Sequence, residues 1–198
     1  MAHEYGTLAV LKERLGIEAA DTTRDATLNA ALSAASRGID KWTGRRFWLD
    51  DAPVQRVYRL ANRVVHETDG DLLLVDDIGD VTGLTLESGA TTSWTPITGS
   101  FETTPDNALA DGRPVTGLLR MGPWGVYRTR VRVTARFGWP AIPDDITEAA
   151  LIQASRLYKR KDSPEGIIGS AEWGVRNLSR RDPDVWALIE PYILPGFG

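Results

Sequence analysis

The stretch from Arg128 to Lys161, RTRVRVTARFGWPAIPDDITEAALIQASRLYKRK, changes its hydrophobic period half-way along. In the first part Arg128, Arg130, Arg132 and Thr134 alternate with Thr129, Val131, Val133 and Ala135. That period of two belongs to a strand with one basic and one apolar face. Phe137, Gly138, Trp139 and Pro140 close it. After Pro143, Asp144 and Asp145, the residues Ile146, Ala149, Ala150, Ala154, Leu157 and Tyr158 recur at helical spacing. Arg156, Lys159, Arg160 and Lys161 gather where a helix dipole is negative. A half-buried strand running directly into an amphipathic helix predicts a mixed fold.

Working outward, Leu8, Leu11 and Leu15 predict a short helix that Gly16 stops. A polar joint over 18–24 follows. Asp25 is placed to N-cap a second helix, whose stripe is Leu28, Ala31, Leu32, Ala35, Ile39 and Trp42, with Gly44 as its C′ glycine. From Pro53 the texture becomes short apolar runs punctuated by Gly, Asp, Ser and Thr: Val54 to Leu60, Leu72 to Val75, then Val81, Leu84 and Leu86. Beyond the helix ending near Lys161, residues 166–181 read as loop. A last short helix is expected from Asp182 to Tyr192, with Pro183 in its first turn. The expected fold class is α+β: a small helical bundle formed by the N- and C-terminal helices, with a β-rich central insertion. The divisions are 1–52 for the first helices, 53–140 for the β-rich block, and 141–198 for the last helices and an extended docking tail, in one composite domain.

The bulk composition is that of a soluble globular chain: 198 residues, 42% hydrophobic, 25% charged, mean hydropathy −0.24. A chain of this length buries enough surface to fold without a metal or disulfide. The absence of cysteine removes disulfides, thiolate zinc sites and a cysteine nucleophile together. The opening MAHEYGTLAVLKERLG is charged and amphipathic, unlike a secretory signal, and no apolar run approaches the roughly 20 residues of a spanning helix. The expectation is a protein made in the bacterial cytoplasm, without a membrane partner.

Net charge is −4, against the balance usual for a nucleic-acid binder. The charge is segregated. Between Val64 and Gly112 every Asp, Glu, Lys or Arg present is an acid, and between Arg113 and Gly138 every one is an arginine. The two stretches can meet different partners, can be neighbouring strands that neutralise each other, or can do both. Asp76, Asp77 and Asp80 on one side, and Arg128, Arg130 and Arg132 on the other, are the candidate charges for contacts between subunits.

Catalytic candidates are scarce. The histidines are His3 and His66, with no GxSxG context for a hydrolase triad. Neither GxxxxGK[ST] nor GxGxxG occurs, so no glycine-rich nucleotide loop is indicated. Asp69, Asp71, Asp76, Asp77 and Asp80 supply oxygen ligands in number, but their spacing fits no EF-hand loop and suits solvated turns. The reading is a non-enzyme with no catalytic residues, no metal and no cofactor. Arg45, Arg46, Phe47 and Trp48 have the residue types of a nucleic-acid contact, and read better as a helix end with its aromatics in the core. Trp42 and Trp48 are expected in the core, and Trp139, beside a proline, is expected to cover the sheet-to-helix joint. Trp94, Trp124, Trp173 and Trp186 fall in loops or near the terminus, and Trp173 is the best candidate for a buried interface anchor.

The stretch DDITEAALIQASRLYKRKDSPEGIIGSAEWGVRNLSRRDPDVWALIEPY resembles the closing segment of phage head-to-tail connector (neck adaptor) proteins of long-tailed phages, those infecting actinobacteria in particular. LNAALSAASRGIDKWTGRRFW resembles the second helix of that family, and DNALADGRP and VRVTARFGWPAIPDDI are more loosely similar. The resemblance implies a homo-oligomeric ring, usually of twelve copies, beneath the portal protein of a DNA-filled head. Such a ring extends the DNA channel, passes DNA without specific binding, and carries the next neck or tail protein. It implies a virion protein of the head-tail junction. It also implies docking on the portal or the neighbouring subunit by Trp173, Arg176, Arg180, Arg181, Trp186 and Tyr192. The alternatives are another neck protein (a stopper or tail-completion protein), a packaging accessory that binds DNA, and an enzyme of unknown type.

Overall fold

The computed structural model describes residues 3–90, 92–126, 128–160, 167–168, 176–177 and 182–194. The chain divides into two compact units. Unit 1 takes Met1–Phe47 and Ile142–Gly198, and unit 2 takes Trp48–Ala141. The architecture is α+β, with four helices and a β-rich central region.

Unit 1 is built on α1 (Leu8–Leu15), α2 (Asp25–Thr43), α3 (Asp144–Arg160) and α4 (Pro183–Ile189), the last followed by a 3₁₀ turn over Glu190–Tyr192. A two-stranded ribbon, β8 (Ile167–Ile168) and β9 (Arg176–Asn177), also belongs to it. Thr7 caps α1 by accepting from the Val10 amide, and Gly16 closes it in the left-handed conformation at φ 67°. Gly44 does the same for α2 at φ 69°. The expected stripe is the buried face: Leu28, Leu32, Ala35 and Ile39 of α2 are buried, and Ala154, Leu151 and Tyr158 of α3 share a core with α1 and α2. Each large aliphatic side chain taken from water there contributes about 2 kcal/mol.

The start of α2 differs from the expected cap. Asp25 is its first helical residue, Arg24 holds the cap position, and no side chain caps it. The Asp25 carboxylate is taken instead by Lys12, which is 4% exposed and pairs with it at 2.5 Å. Lys12 Nζ also donates to the carbonyls of Asp21 at 2.8 Å and Ala19 at 3.3 Å, so one buried ammonium organises the whole α1–α2 joint. Tyr5 lies before α1 and is fully buried. Its hydroxyl donates to Asp40 and accepts from the Phe47 amide at 2.8 Å, tying the N-terminal segment to both ends of the α2 exit. Burial raises the Tyr5 hydroxyl pKa, and burial likewise raises that of the Asp40 carboxyl.

Unit 2 consists of β1 (Val54–Arg59), β2 (Val64–His66), β3 (Asp71–Ala90), β4 (Ser93–Pro96), β5 (Glu102–Thr104), β6 (Val115–Arg120) and β7 (Arg130–Phe137). All pairings are antiparallel, in the order β1-β7-β3-β6-β5, with β2 and β4 also on β3. The sequence suggested several short strands between Leu72 and Ala90, where the structure has one strand of 20 residues. The breaks that read as turns are register irregularities between Leu74 and Ile78, Ile78 and Asp80, and Asp80 and Thr85. They let β3 serve two sets of neighbours, β2 and β6 with its first half and β7 and β4 with its second. Gly79 lies at this change, where a Cβ would stand 2.7 Å from the Trp139 carbonyl carbon. Gly138 makes the exit from β7 possible: its φ is 116°, and a Cβ there would stand 2.0 Å from the Trp48 carbonyl oxygen.

The apolar face of β7 is the expected one, with Val131, Val133, Ala135 and Phe137 fully buried against Leu73, Ile78, Leu86 and Leu118. Three tryptophans differ in burial from expectation. Trp124 is a core residue at 2% exposure, its Nε1 donating to the Asp71 carbonyl at 2.7 Å, whereas Trp42 and Trp48 are only half-buried. Trp139 is buried.

Candidate functional site

The segregated charges meet inside unit 2. β3 carries Asp71, Asp76, Asp77, Asp80 and Glu87, β7 carries Arg130, Arg132 and Arg136, and the two strands are paired. Arg132 donates from Nε and Nη2 to the two Glu87 oxygens, 2.6 Å each, and its guanidinium lies 4.6 Å from the Trp94 ring centre. This fork holds the Glu87 carboxyl below the usual glutamate range. Asp80 accepts from Arg136 at 3.0 Å and from the Thr82 amide at 2.8 Å; the Thr82 bonds first, and Arg136 after them, lower its pKa.

Asp76 accepts from Arg56 at 2.7 Å and from the Tyr58 hydroxyl at 3.2 Å, with Arg63 at 3.6 Å. Arg56 in turn stacks 4.0 Å above the Phe137 ring centre. Asp77 accepts from Trp139 Nε1 at 3.1 Å. His66 and Asp71 stand 2.6 Å apart at the β2–β3 pairing. Of the candidate inter-subunit charges, Asp76, Asp77, Asp80 and Arg132 thus have partners within their own unit. Glu87–Arg132 and Asp80–Arg136 join the acidic stretch to the basic one. Arg130 is different. It is exposed, opposes Arg59 directly across the β1–β7 ladder, and has no ion-pair partner among the described residues. Among the described residues no three His, Cys, Asp or Glu side chains are grouped to hold a metal ion. No described helix is long and apolar enough to cross a membrane.

The expected docking anchors fall in unit 1. Trp173, Arg180 and Arg181 lie outside the described residues, and Arg176 is described only as part of β9. Trp186 and Tyr192 sit on a segment that is packed rather than extended. Asp182 caps α4 and pairs with Arg156 at 2.7 Å, while Val185 and Ile189 are buried. Tyr192 donates to Asp145 at 3.1 Å and packs edge-on to Phe47, and the Leu194 amide donates to the Thr43 carbonyl at 2.9 Å. Residues 182–194 are therefore held on the helices of their own unit, and both aromatics remain half-buried.

The same arrangement of helices and sheet is present in solved structures. A chain of the neck of an empty gene transfer agent (GTA) particle, computed with C6 symmetry, superposes at a TM-score of 0.58. It is 21% identical, over 96% of this chain and 90% of that one. This protein shares the fold of a GTA neck chain. A chain from the virion of a native GTA particle superposes at 0.54, with 23% identity over the same shares of the two chains. No protein-family model matches the chain. No curated protein matches it either.

Sequence reasoning missed Lys12, Tyr5 and the Arg59–Arg130 opposition. Lys12 had a signal, because it stands one residue after Leu11 on the stripe Leu8, Leu11, Leu15, where a charge must find a partner. The Arg59–Arg130 pair had none, since it depends on the register of two strands distant in sequence.

Proposed function

We propose that this chain is a structural subunit of the neck of a tailed, phage-like particle: the head-to-tail connector (adaptor) ring between portal and tail. The observation that carries the reading is the fold shared with a GTA neck chain over 96% of this chain, so that both units take part in the likeness. The sequence resemblance to connector proteins points the same way from independent residues in the first and last quarters of the chain.

In this reading no bond is made or broken. The subunit repeats around the axis, in twelve copies by the resemblance, and surrounds the channel through which DNA passes. A subunit of net charge −4 suits that passage, because each phosphate held by a Lys or Arg would retard the strand. Trp173, Arg176, Arg180, Arg181, Trp186 and Tyr192 are the anchors to the portal or the adjacent copy. The ring then offers its other side to the next neck or tail protein. Affinity-labelled chain, located by electron microscopy in intact particles, tests this. Label confined to the head-tail junction supports the reading, and label in the capsid shell, along the tail or absent from particles contradicts it.

A further inference from the structure

The like-charge pair at the edge of unit 2 needs a partner. Arg59 and Arg130 are directly opposed across β1 and β7 and both exposed. Neither has a carboxylate at ion-pair distance among the described residues, although Arg132, two residues on along β7, is neutralised by Glu87 from β3 on its other side. Like charges placed directly opposite are destabilising. Apolar surface adjoins them. Val57 on β1, in register with Arg132, is 48% exposed. Val126 is 75% exposed and is held beside the start of β7 by the Thr129 amide, which donates to its carbonyl at 3.0 Å. Arginine mixed with exposed apolar side chains is the composition of an interface core.

The strand at the other end of the sheet order carries the opposite charge. β5 presents Glu102, and the loop that leaves it presents Asp106 and Asp111; all three are exposed and have no cation at ion-pair distance among the described residues. That loop is fixed, not merely acidic. Ala108 is buried, the Arg113 amide donates to its carbonyl at 2.8 Å, and the Asp111 amide donates to Asn107 at 3.0 Å. β1 and β5 each have a ladder neighbour on one side only among the described residues.

We propose that the Arg59/Arg130 edge of one copy docks on the Glu102/Asp106/Asp111 edge of the next copy of this chain. Two different, complementary patches on one chain give a heterologous contact, which closes into a ring when repeated by rotation. The inference rests on the ring reading above and names the contact that builds it. A second copy is favoured over DNA as the occupant because the net charge of −4 repels a polyanion as a whole, while the acidic edge, Glu102, Asp106 and Asp111, offers more than enough carboxylates for Arg59 and Arg130.

Charge exchange tests it on the full-length purified protein, by sedimentation and native mass spectrometry at low salt. The variant R59E/R130E and the variant E102R/D106R/D111R should each lose self-association by at least about tenfold. Mixed, they should regain it as alternating assemblies, since each reversed patch then faces its complement. R59Q/R130Q guards against misfolding: it removes the repulsion, so it should raise the melting temperature of the subunit while weakening association. Wild-type protein that stays monomeric at low salt, reversals without effect on association, or a mixture that stays monomeric would each overturn the contact. Reversal that instead abolishes salt-sensitive retention of duplex DNA would overturn it in favour of DNA. These results leave the neck reading standing, because that reading fails separately, when labelled chain is missing from the head-tail junction.

Discussion

Arg132 grips Glu87 through two parallel hydrogen bonds of 2.6 Å each, across the β3–β7 pairing and beneath the Trp94 ring. The fork converts the segregated charge of the sequence into a feature of one sheet face. It also sets a pH dependence. Glu87 has a folded-state pKa below its ordinary value because Arg132 bonds to the ionised form. Its contribution to stability is therefore complete above the ordinary glutamate range and is lost as pH falls through the depressed folded value. Denaturant unfolding of wild type and Glu87→Gln between neutral and strongly acidic pH should show the wild type more stable at neutral pH. The difference should shrink towards zero in acid. A difference that does not change with pH would contradict this.

Lys12→Met should be among the most damaging single changes in unit 1. It strips the ammonium from Asp25 and from the carbonyls of Ala19 and Asp21, all of which it satisfies from a buried position. Removing one partner of such a buried pair costs on the order of 3 kcal/mol. The melting temperature measured by circular dichroism checks it, with a surface change such as Lys41→Met as the near-neutral reference.

Tyr5→Phe keeps the ring contact with Phe47 and removes the hydroxyl. The Phe47 amide then loses its acceptor and Asp40 loses a donor, a loss of about 2 kcal/mol for a buried network of this kind. The same measurement decides it, and a change below a few tenths would show that Tyr5 acts by its ring alone.

How much of this was legible beforehand follows from which contacts are local. The α2 stripe, the Gly16 and Gly44 stops, the Pro183 start of α4 and the alternation of β7 are all written within one or two helical turns or a few strand residues, and each stands where expected. β3 reads as fragments in the sequence because Gly79, Asp80 and Gly83 carry the residue types of turns, and only the pairing of both halves shows that they mark register irregularities. Trp124 reads as a loop residue because its neighbours Gly122, Pro123 and Gly125 spell a loop. The loop folds its one large ring inward to the Asp71 carbonyl. The acidic and basic stretches were visible as partners, but which acid meets which arginine depends on register, and register is non-local.

Trp124→Phe should cost about 2 kcal/mol from the lost hydrogen bond to Asp71. Because Trp124 anchors the segment that carries the exposed Met121 and Val126, amide hydrogen exchange should rise there before it rises in β3 or β7. Uniform exchange across unit 2 would contradict the anchoring role.

Trp173→Ala and Arg180→Ala test the docking anchors. Each should leave the melting temperature of the purified chain within about 1 °C if the side chain serves docking and not the fold. Each should sharply reduce the yield of joined particles when it is the sole copy supplied. Normal yields of joined particles from both variants would remove these residues from the interface.

The most direct test of the central claim is electron microscopy of particles produced with this gene deleted. The account predicts heads that have received or leaked their DNA beside separate, complete tails, with joining restored when the wild-type chain is supplied. Normally joined particles, or a block before heads form, would contradict it.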